Sequence, residues 1–591
     1  MPGAVNYRLS IMDEKIKKIL LPVVLLMASV IRVYPIGANL PYAFWHDENN
    51  YIEMALRFGT GNFRLSSYSH GGLFQLVLFI EYAIYYAAAR LIGYASSTTD
   101  FLINYLKDPS VLFMIARLTV ALCGIGIVYL TFLIAAKIFN ARTALIASIF
   151  TALSLLMVQM SSLALADIPA VLISLSAFLV IVHSLEKPID NRMYYIACLL
   201  TGLATTCKYY AVFGMAPLYV AAFIKCKDIR VDFSRLAKFI LLGSAVAVIG
   251  FIIGIPSFIL DIPRFYKNTF VRMGGEYILT NPNRNAWLYY FTNHLRNGLG
   301  LPLEYAALAG IAYALYKHSR HDVLILSTPI ASYLILMHSM GFAYHSLPAV
   351  PFILILAARF LDAIGNRFFL KTPFYTALFL GISIVTPTFL DSIKLVRIFT
   401  SQDTRIEAKA WVDGMIAQDA TILEEGYIHT IPVHGPPLAE DLKTLKRDRD
   451  YIISHGGNGR LIDTRIKNYE KIYGGFKKYN ILKMERLTKE AVDVHRPRYI
   501  ILTRANDILT GKELLYYLYF EKDYLAKRQG LKEDIMTKYR LIKSFLPTQE
   551  FTPLFPHLMN QDYESIRASD LNRFDGYKQG PSIDIFEAKT N

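Results

Sequence analysis

Residues 116–154 read ARLTVALCGIGIVYLTFLIAAKIFNARTALIASIFTALS. Two apolar runs, 111–136 and 143–161, flank a short break that carries Lys137 and Arg142. Each run is near the length that crosses about 30 Å of hydrocarbon. Basic residues in so short a connection mark a cytoplasmic turn. The stretch predicts a helical membrane protein with a tight inner loop.

Outward from it the pattern repeats. Further candidate spans are 17–36, 168–185, 193–207, 209–225, 238–258, 300–316, 322–338, 347–363 and 372–391, and a run over 73–95 is apolar but carries Glu81 and Arg90. The 591-residue chain is 54% hydrophobic and 18% charged, with 39 Tyr and 36 Phe, as rings gathered at membrane interfaces require. Its net charge of +15 falls largely in short loops between apolar runs, so it argues for cytoplasmic anchoring and against a nucleic-acid partner. Cys123, Cys198, Cys207 and Cys226 all lie in or beside apolar runs, which argues against a disulfide framework. Lys15, Lys17 and Lys18 precede the first run, and Arg32, Val33 and Tyr34 follow it where a cleavage site would need small residues; the run reads as an uncleaved first span.

With the N-terminal lysines inside, the basic loops around residues 137–142, 187–192, 225–235, 317–320 and 367–371 also fall inside, provided that 73–95 makes no net crossing. We therefore expect 73–95 to be a juxtamembrane or re-entrant helix, or one of a pair of crossings within 73–136. The same parity places 37–72, the turn at 162–168, the loop 259–299 and everything after about 392 on the outer face. After Asp391 charge becomes dense and apolar runs shorten to ATILEEGYI (420–428), RYIILT (498–503) and KYRLIKSFL (538–546), alternating with amphipathic stretches such as 403–417. The expectation is a transmembrane domain over 1–392, whose first extracytoplasmic loop with juxtamembrane helices covers 37–110, and a soluble α/β domain over 393–591.

The polar residues at the outer ends of the spans are the candidates for chemistry. Phe44–Tyr51 reads FWHDENNY, placing His46, Asp47 and Glu48 where the first span leaves the lipid. Asp47 caps a helix with Tyr51, Met54, Ala55 and Phe58 at helical spacing; it is either a cap alone or a base at the lipid–water boundary, where partial burial raises a carboxyl pKa and a helix N-terminus lowers it. Asp167 in LALADIPA opens another helix before Ile168-Pro169. Lys208 in GLATTCKYYAVFG interrupts an apolar region; it either snorkels to the interface or pairs with a phosphate. Tyr344 and His345 precede a helix start with Pro348 and Pro351, and Arg117 and His70 are further polar marks on the same side. The sequence holds no Walker loop, dinucleotide glycine pattern or Cys/His metal cluster.

Taken in order, Asp47-Glu48 with Tyr51 and Ala55, HGGLFQLVLF (70–79), the opening stretch, LALADIPA (163–170), GLATTCKYYAVFGMAPL (202–218) and YHSLPAVPFILILAARFLD (344–362) resemble the polytopic GT-C glycosyltransferases. The nearest branch is that of protein O-mannosyltransferases and lipid A aminoarabinose transferases. The tail opening SQDTRIEAKAWVDGMI is similar to outer domains of bacterial members. The resemblance implies a multi-span α-helical membrane protein of about 11–13 transmembrane helices with an extracytoplasmic α/β domain. The chain carries no fused carbohydrate-binding repeats of the eukaryotic O-mannosyltransferase kind, which points to a prokaryotic member. It implies an inverting transfer of sugar from a polyprenyl-phosphate donor to an acceptor hydroxyl of a protein, lipid or glycan, in the inner (plasma) membrane. Asp47 is then the base, Glu48 its supporting acid and Asp167 the second acidic position. Lys208 and Arg117 hold the donor phosphate, Tyr344 and His345 contact headgroup or sugar, and His46 and His70 are further site candidates. No cofactor is required by this reading, and no residue pattern supports a divalent metal.

A polytopic transporter or lipid flippase is the rival class, but it calls for inverted repeats and charge at mid-membrane. Here the polar marks gather at one face.

Overall fold

The computed structural model describes residues 14, 16–42, 44, 46–65, 68, 71–186, 191–228, 233–272, 286–337, 343–368, 372–425, 435–454, 459–484, 487–504, 531–545, 578–579 and 582–589. Up to Phe399 the described residues form a body of helices, and a smaller unit with a mixed sheet follows. The helices used below are α1 (Leu21–Val33), α2 (His46–Phe58), α3 (Leu73–Leu91), α4 (Thr98–Lys107), α5 (Ser110–Ile138), α6 (Ala141–Leu153), α7 (Leu155–Met160), α8 (Asp167–Glu186), α9 (Arg192–Cys207), α10 (Met215–Asp228), α11 (Phe233–Gly254), α12 (Leu301–Lys317), α13 (Arg320–Leu336), α14 (Val350–Phe368) and α15 (Pro373–Phe399).

Among the described residues, seven helical stretches are long and apolar enough to cross a membrane, or eight if the bent pair Tyr290–Leu299 and Leu301–Lys317 is one span. The chain is a polytopic membrane protein. This count falls below the 11–13 expected, and the reason is local. The run 143–161 breaks at Ser154 into α6 and α7, and α9, α12 and α13 have 16 or 17 residues. At 1.5 Å per residue such helices reach only about 25 Å. Their packing compensates for their length. At Gly202 of α9 a Cβ would overlap the Ala247 carbonyl of α11, so the two backbones touch as small-residue membrane interfaces allow.

Helix α3 meets the length and hydropathy of a span. Gly71, just before it, abuts the carbonyls of Thr206 and Cys207 at the end of α9. At mid-helix, Tyr82 OH donates to Leu112 O in the first turn of α5 (3.1 Å). The following α4 packs against helices of the C-terminal unit.

The C-terminal unit opens with β1 (Gln402–Asp403) and α16 (Thr404–Met415). Strands β2 (Thr421–Glu425), β3 (Ala439–Glu440), β4 (Lys478–Met484), β5 (Tyr499–Arg504), β6 (Tyr539–Phe545) and β8 (Ser582–Ala588) form a sheet in the order β3-β4-β2-β5-β8-β6. β3, β4, β2 and β5 run parallel, and β8 pairs antiparallel with both β5 and β6. β1 pairs with β7 (Lys578–Gln579). Ala408 and Val412 of α16 cover one face of the sheet over Ile422, Ile481, Ile501 and Ile585. Helices α17 (Leu442–Ser454), α18 (Arg460–Lys467) and α19 (Tyr469–Tyr473) follow β3, and α18 and α19 are the ones that touch α4. α20 (Lys489–His495) and α21 (Leu531–Lys538) pack on the opposite face, where Val492, Leu531 and Ile535 meet Leu423, Ile500 and Phe586.

Candidate active site

The described polar residues read from the sequence fall into two groups at helix ends. α2 begins at His46, so Asp47 and Glu48 occupy its first turn, where a helix dipole favours carboxylates. Successive residues on a helix point about 100° apart, and here they part company. Glu48 turns inward and is fully buried. Its Oε1 accepts from Arg117 Nε (2.9 Å) and from the Ala164 amide (2.7 Å), and its Oε2 accepts from Arg117 Nη2 (2.8 Å). Arg117 Nη1 donates to the carbonyls of Ile36 (3.0 Å) and Ala38 (2.9 Å). One buried pair thus ties the exit of the first span, α2, α5 and the loop before α8 together. Four of the five guanidinium N–H groups are committed to protein oxygens. The structure brings Arg117 to Glu48, whereas the sequence suggested a phosphate ligand.

Asp47 is half-buried, and a second cluster lies around Tyr51. Tyr51, one turn on, is buried and lies within electrostatic reach of Lys208, Asp167 and Asp47. Burial raises its phenol, and Lys208 opposes that. Lys208 Nζ lies 3.2 Å from Asp167 Oδ2, and Tyr210 OH donates to Asp167 Oδ1 at 2.6 Å. The ammonium also stands over the Tyr344 ring, 5.2 Å from its centroid. His345 stacks edgewise on both Tyr344 and Tyr210. Burial, then Lys208 and His294, push its imidazole well below the usual value, so it stands neutral at pH 7.

Backbone geometry explains why Lys208 is there. α9 ends at Cys207, Lys208 is extended, and a 3₁₀ turn over Tyr209–Gly214 restarts the chain, so an ionisable side chain emerges at a helix break. The first loop closes on the same point. A Cβ at Gly71 would overlap the carbonyl oxygens of Thr206 and Cys207, and Tyr209 OH donates to Tyr68 O at 2.6 Å. His70 lies outside the described residues, as does the side chain of His46. The residues that sequence reasoning missed are Tyr51 and Tyr210. Tyr51 was read as a hydrophobic position of α2 and as part of the motif after Asp47-Glu48 but not as a site residue, and Tyr210 follows Lys208 by two residues. Among the described residues no group of three or more His, Cys, Asp or Glu side chains is placed to hold a metal ion.

Comparison with known proteins agrees with this architecture. The sequence model of the dolichyl-phosphate-mannose-protein mannosyltransferase family matches residues 110–255, from α5 through α11. No curated protein matches the sequence significantly. Among solved structures, the apo oligosaccharyltransferase of Archaeoglobus fulgidus is 12% identical and aligns over 96% of this chain and 88% of its own, with a TM-score of 0.52. The same organism's AglB in complex with an inhibitory peptide and a dolichol-phosphate is 11% identical, over 97% and 89%, with a TM-score of 0.50. ArnT from Cupriavidus metallidurans bound to undecaprenyl phosphate is 14% identical over 89% and 95%, with a TM-score of 0.45. The chain thus shares its fold with the archaeal oligosaccharyltransferase, and its residues 110–255 match the sequence model of the mannosyltransferase family.

Proposed function

We propose that the protein transfers a sugar from a polyprenyl-phosphate carrier to an acceptor hydroxyl, on the extracytoplasmic face of the plasma membrane. The observation that carries this reading is the Lys208–Asp167–Tyr210 cluster set beside the helix that bears Asp47. Basic inner loops support the orientation. A similar solved structure holds a dolichol-phosphate, which supports a lipid-phosphate donor.

The chemistry asks little of the protein. The donor phosphate is already a good leaving group, so three tasks remain: orient the acceptor, take its proton, and stabilise charge on the departing phosphate. Asp47 accepts the hydroxyl proton as the acceptor oxygen bonds to the anomeric carbon. The bond from that carbon to the phosphate oxygen breaks, and the electron pair leaves on the phosphate. Displacement from the opposite face inverts the anomeric centre. Lys208 stabilises the phosphate, and Asp167 with Tyr210 fixes where Lys208 points. Tyr344 and the neutral His345 line the donor side. Glu48 and Arg117 have a different task, holding α2 in place, because both carboxylate oxygens of Glu48 are engaged.

The test is mass spectrometry of lipid carriers from cells lacking the protein. Accumulation of one polyprenyl-phosphate sugar, reversed by the wild-type gene, is the expected result and names the donor. Unchanged carriers would overturn the reading.

A further inference from the structure

The C-terminal unit reaches into the first loop at one point. Asp403 caps α16, accepting from the Arg405 amide at 2.8 Å. Its two oxygens also take the Arg405 guanidinium as a fork, with Nε to Oδ1 at 2.8 Å and Nη2 to Oδ2 at 2.7 Å. Both side chains are buried. The plane of that neutralised guanidinium lies over the ring of Phe44, its central carbon 3.6 Å from the ring centroid. Phe44 is itself buried and stands two residues before the first turn of α2.

Isolating an ion pair from water costs several kcal/mol, so its place against an aromatic ring needs a reason beyond stability. Arginine supplies one, because its flat cation stacks on a ring in a fixed plane where lysine would not. Neighbouring contacts point the same way. Tyr42, stacked on Phe44 at 6.2 Å between centroids, lies within electrostatic reach of Asp413 of α16. α4 packs on α18 and α19. Phe399, at the end of α15, lines a small cleft with Arg117, Asn39 and Ser162. The approach to α2 is thus gripped by the C-terminal unit, while Glu48 and Arg117 grip its first turn from the membrane side.

We infer that Arg405 is a positioning residue for the reaction: through Phe44 the C-terminal unit sets where Asp47 stands relative to Lys208. This rests on the reading of Asp47 as the base. A displacement of about 1 Å at a reacting group costs up to roughly 10²-fold in rate. The grip is therefore part of the catalytic geometry, and the outer unit is more than an appendage.

The experiment uses the full-length protein in lipid vesicles. It compares Phe44→Leu, Phe44→Trp, Arg405→Lys, Arg405→Met, the double variant Phe44→Leu/Arg405→Met, and Asp47→Asn. Turnover is read on the polyprenyl-phosphate sugar that accumulates in cells lacking the protein, incubated with membranes from those cells. Binding is read with C55 polyprenyl phosphate. Phe44→Leu and Arg405→Lys should lower kcat roughly 10–100-fold with the carrier Kd and the Tm near wild type, whereas Arg405→Met, which strands the buried Asp403, should lower Tm as well. Phe44→Trp should keep most of the rate, and the double variant should lose no more than either single one. Wild-type kcat in Phe44→Leu, or a loss of its rate matched by loss of its carrier binding and Tm, would overturn the inference. If Asp47→Asn turns over like wild type, the proposed function falls instead. If Asp47→Asn is inactive and Phe44→Leu is active, only the positioning role falls.

Discussion

Lys208 Nζ lies 3.2 Å from Asp167 Oδ2, and the other oxygen of that carboxylate is held by Tyr210 at 2.6 Å. The three residues come from the start of α8, the break after α9 and the turn before α10. That cation, oriented by the carboxylate, the Tyr344 ring and Tyr51, is the phosphate ligand of the proposed reaction. Lys208→Met should therefore weaken binding of C55 polyprenyl phosphate roughly tenfold or more, the usual loss for a hydrogen bond to a charged group. Lys208→Arg should retain part of it. Titration of the purified protein with the carrier checks this; an unchanged Kd for Lys208→Met would remove the lysine from the donor site.

Glu48 and Arg117 are buried together, so removing one partner strands the other. Glu48→Gln or Arg117→Met should destabilise the helical body by about 3–5 kcal/mol. The double variant should recover part of that loss. Thermal unfolding in detergent measures it. Asp47→Asn, one residue away but outside this pair, should leave Tm unchanged.

Gly71 is the point where the first loop meets the end of α9. Gly71→Ala drives a methyl into two backbone carbonyls and cannot be relieved by a side-chain rotation. It should sharply reduce the yield of folded protein, with overpacking costs of about 1–3 kcal/mol or more. Gly37→Ala, where a Cβ meets nothing within 4 Å, should be neutral. Fluorescence-detected size exclusion distinguishes the two.

In the C-terminal unit, Glu424 sits on β2 in register with Lys483 on β4. Lys483 is taken by Glu440 and Asp448, and Glu440 also binds Arg465 at 2.8 Å. Burial pushes the Glu424 carboxyl up from 4.5 to about 8; Lys483 opposes this and Glu440 adds to it. The folded unit therefore keeps this proton where the unfolded chain releases it. Its contribution to stability is intact below about pH 4.5 and is lost as pH rises through about 8. Glu424→Gln should flatten that decline. Unfolding followed by Trp411 fluorescence at pH 5 and pH 8, in a chain with Trp45 and Trp287 replaced by Phe, reads it; an unchanged pH slope would contradict the assignment.

Much of this was legible in the sequence because hydropathy and helix punctuation are local signals. The DE turn, the Asp-Ile-Pro helix start, the lysine at a helix break and the three strand cores near 420, 500 and 540 all lie close to where they were read. What could not be read depends on contacts between distant residues. That Glu48 is bound to Arg117, 69 positions away, is invisible to any window. So is the stacking of Arg405 on Phe44. Helices of 16 or 17 residues read like longer spans in hydropathy, and only the break at Ser154 and the close approach at Gly202 reveal how short and tightly packed they are. β8 joins the sheet between β5 and β6, a pairing that no local pattern announces.

The most direct test of the central claim is turnover by Asp47→Asn. In vesicles, with the accumulated carrier sugar as donor, its rate should fall about 10²–10⁴-fold while the carrier Kd and Tm stay at their wild-type values. Wild-type turnover by that variant would contradict the account.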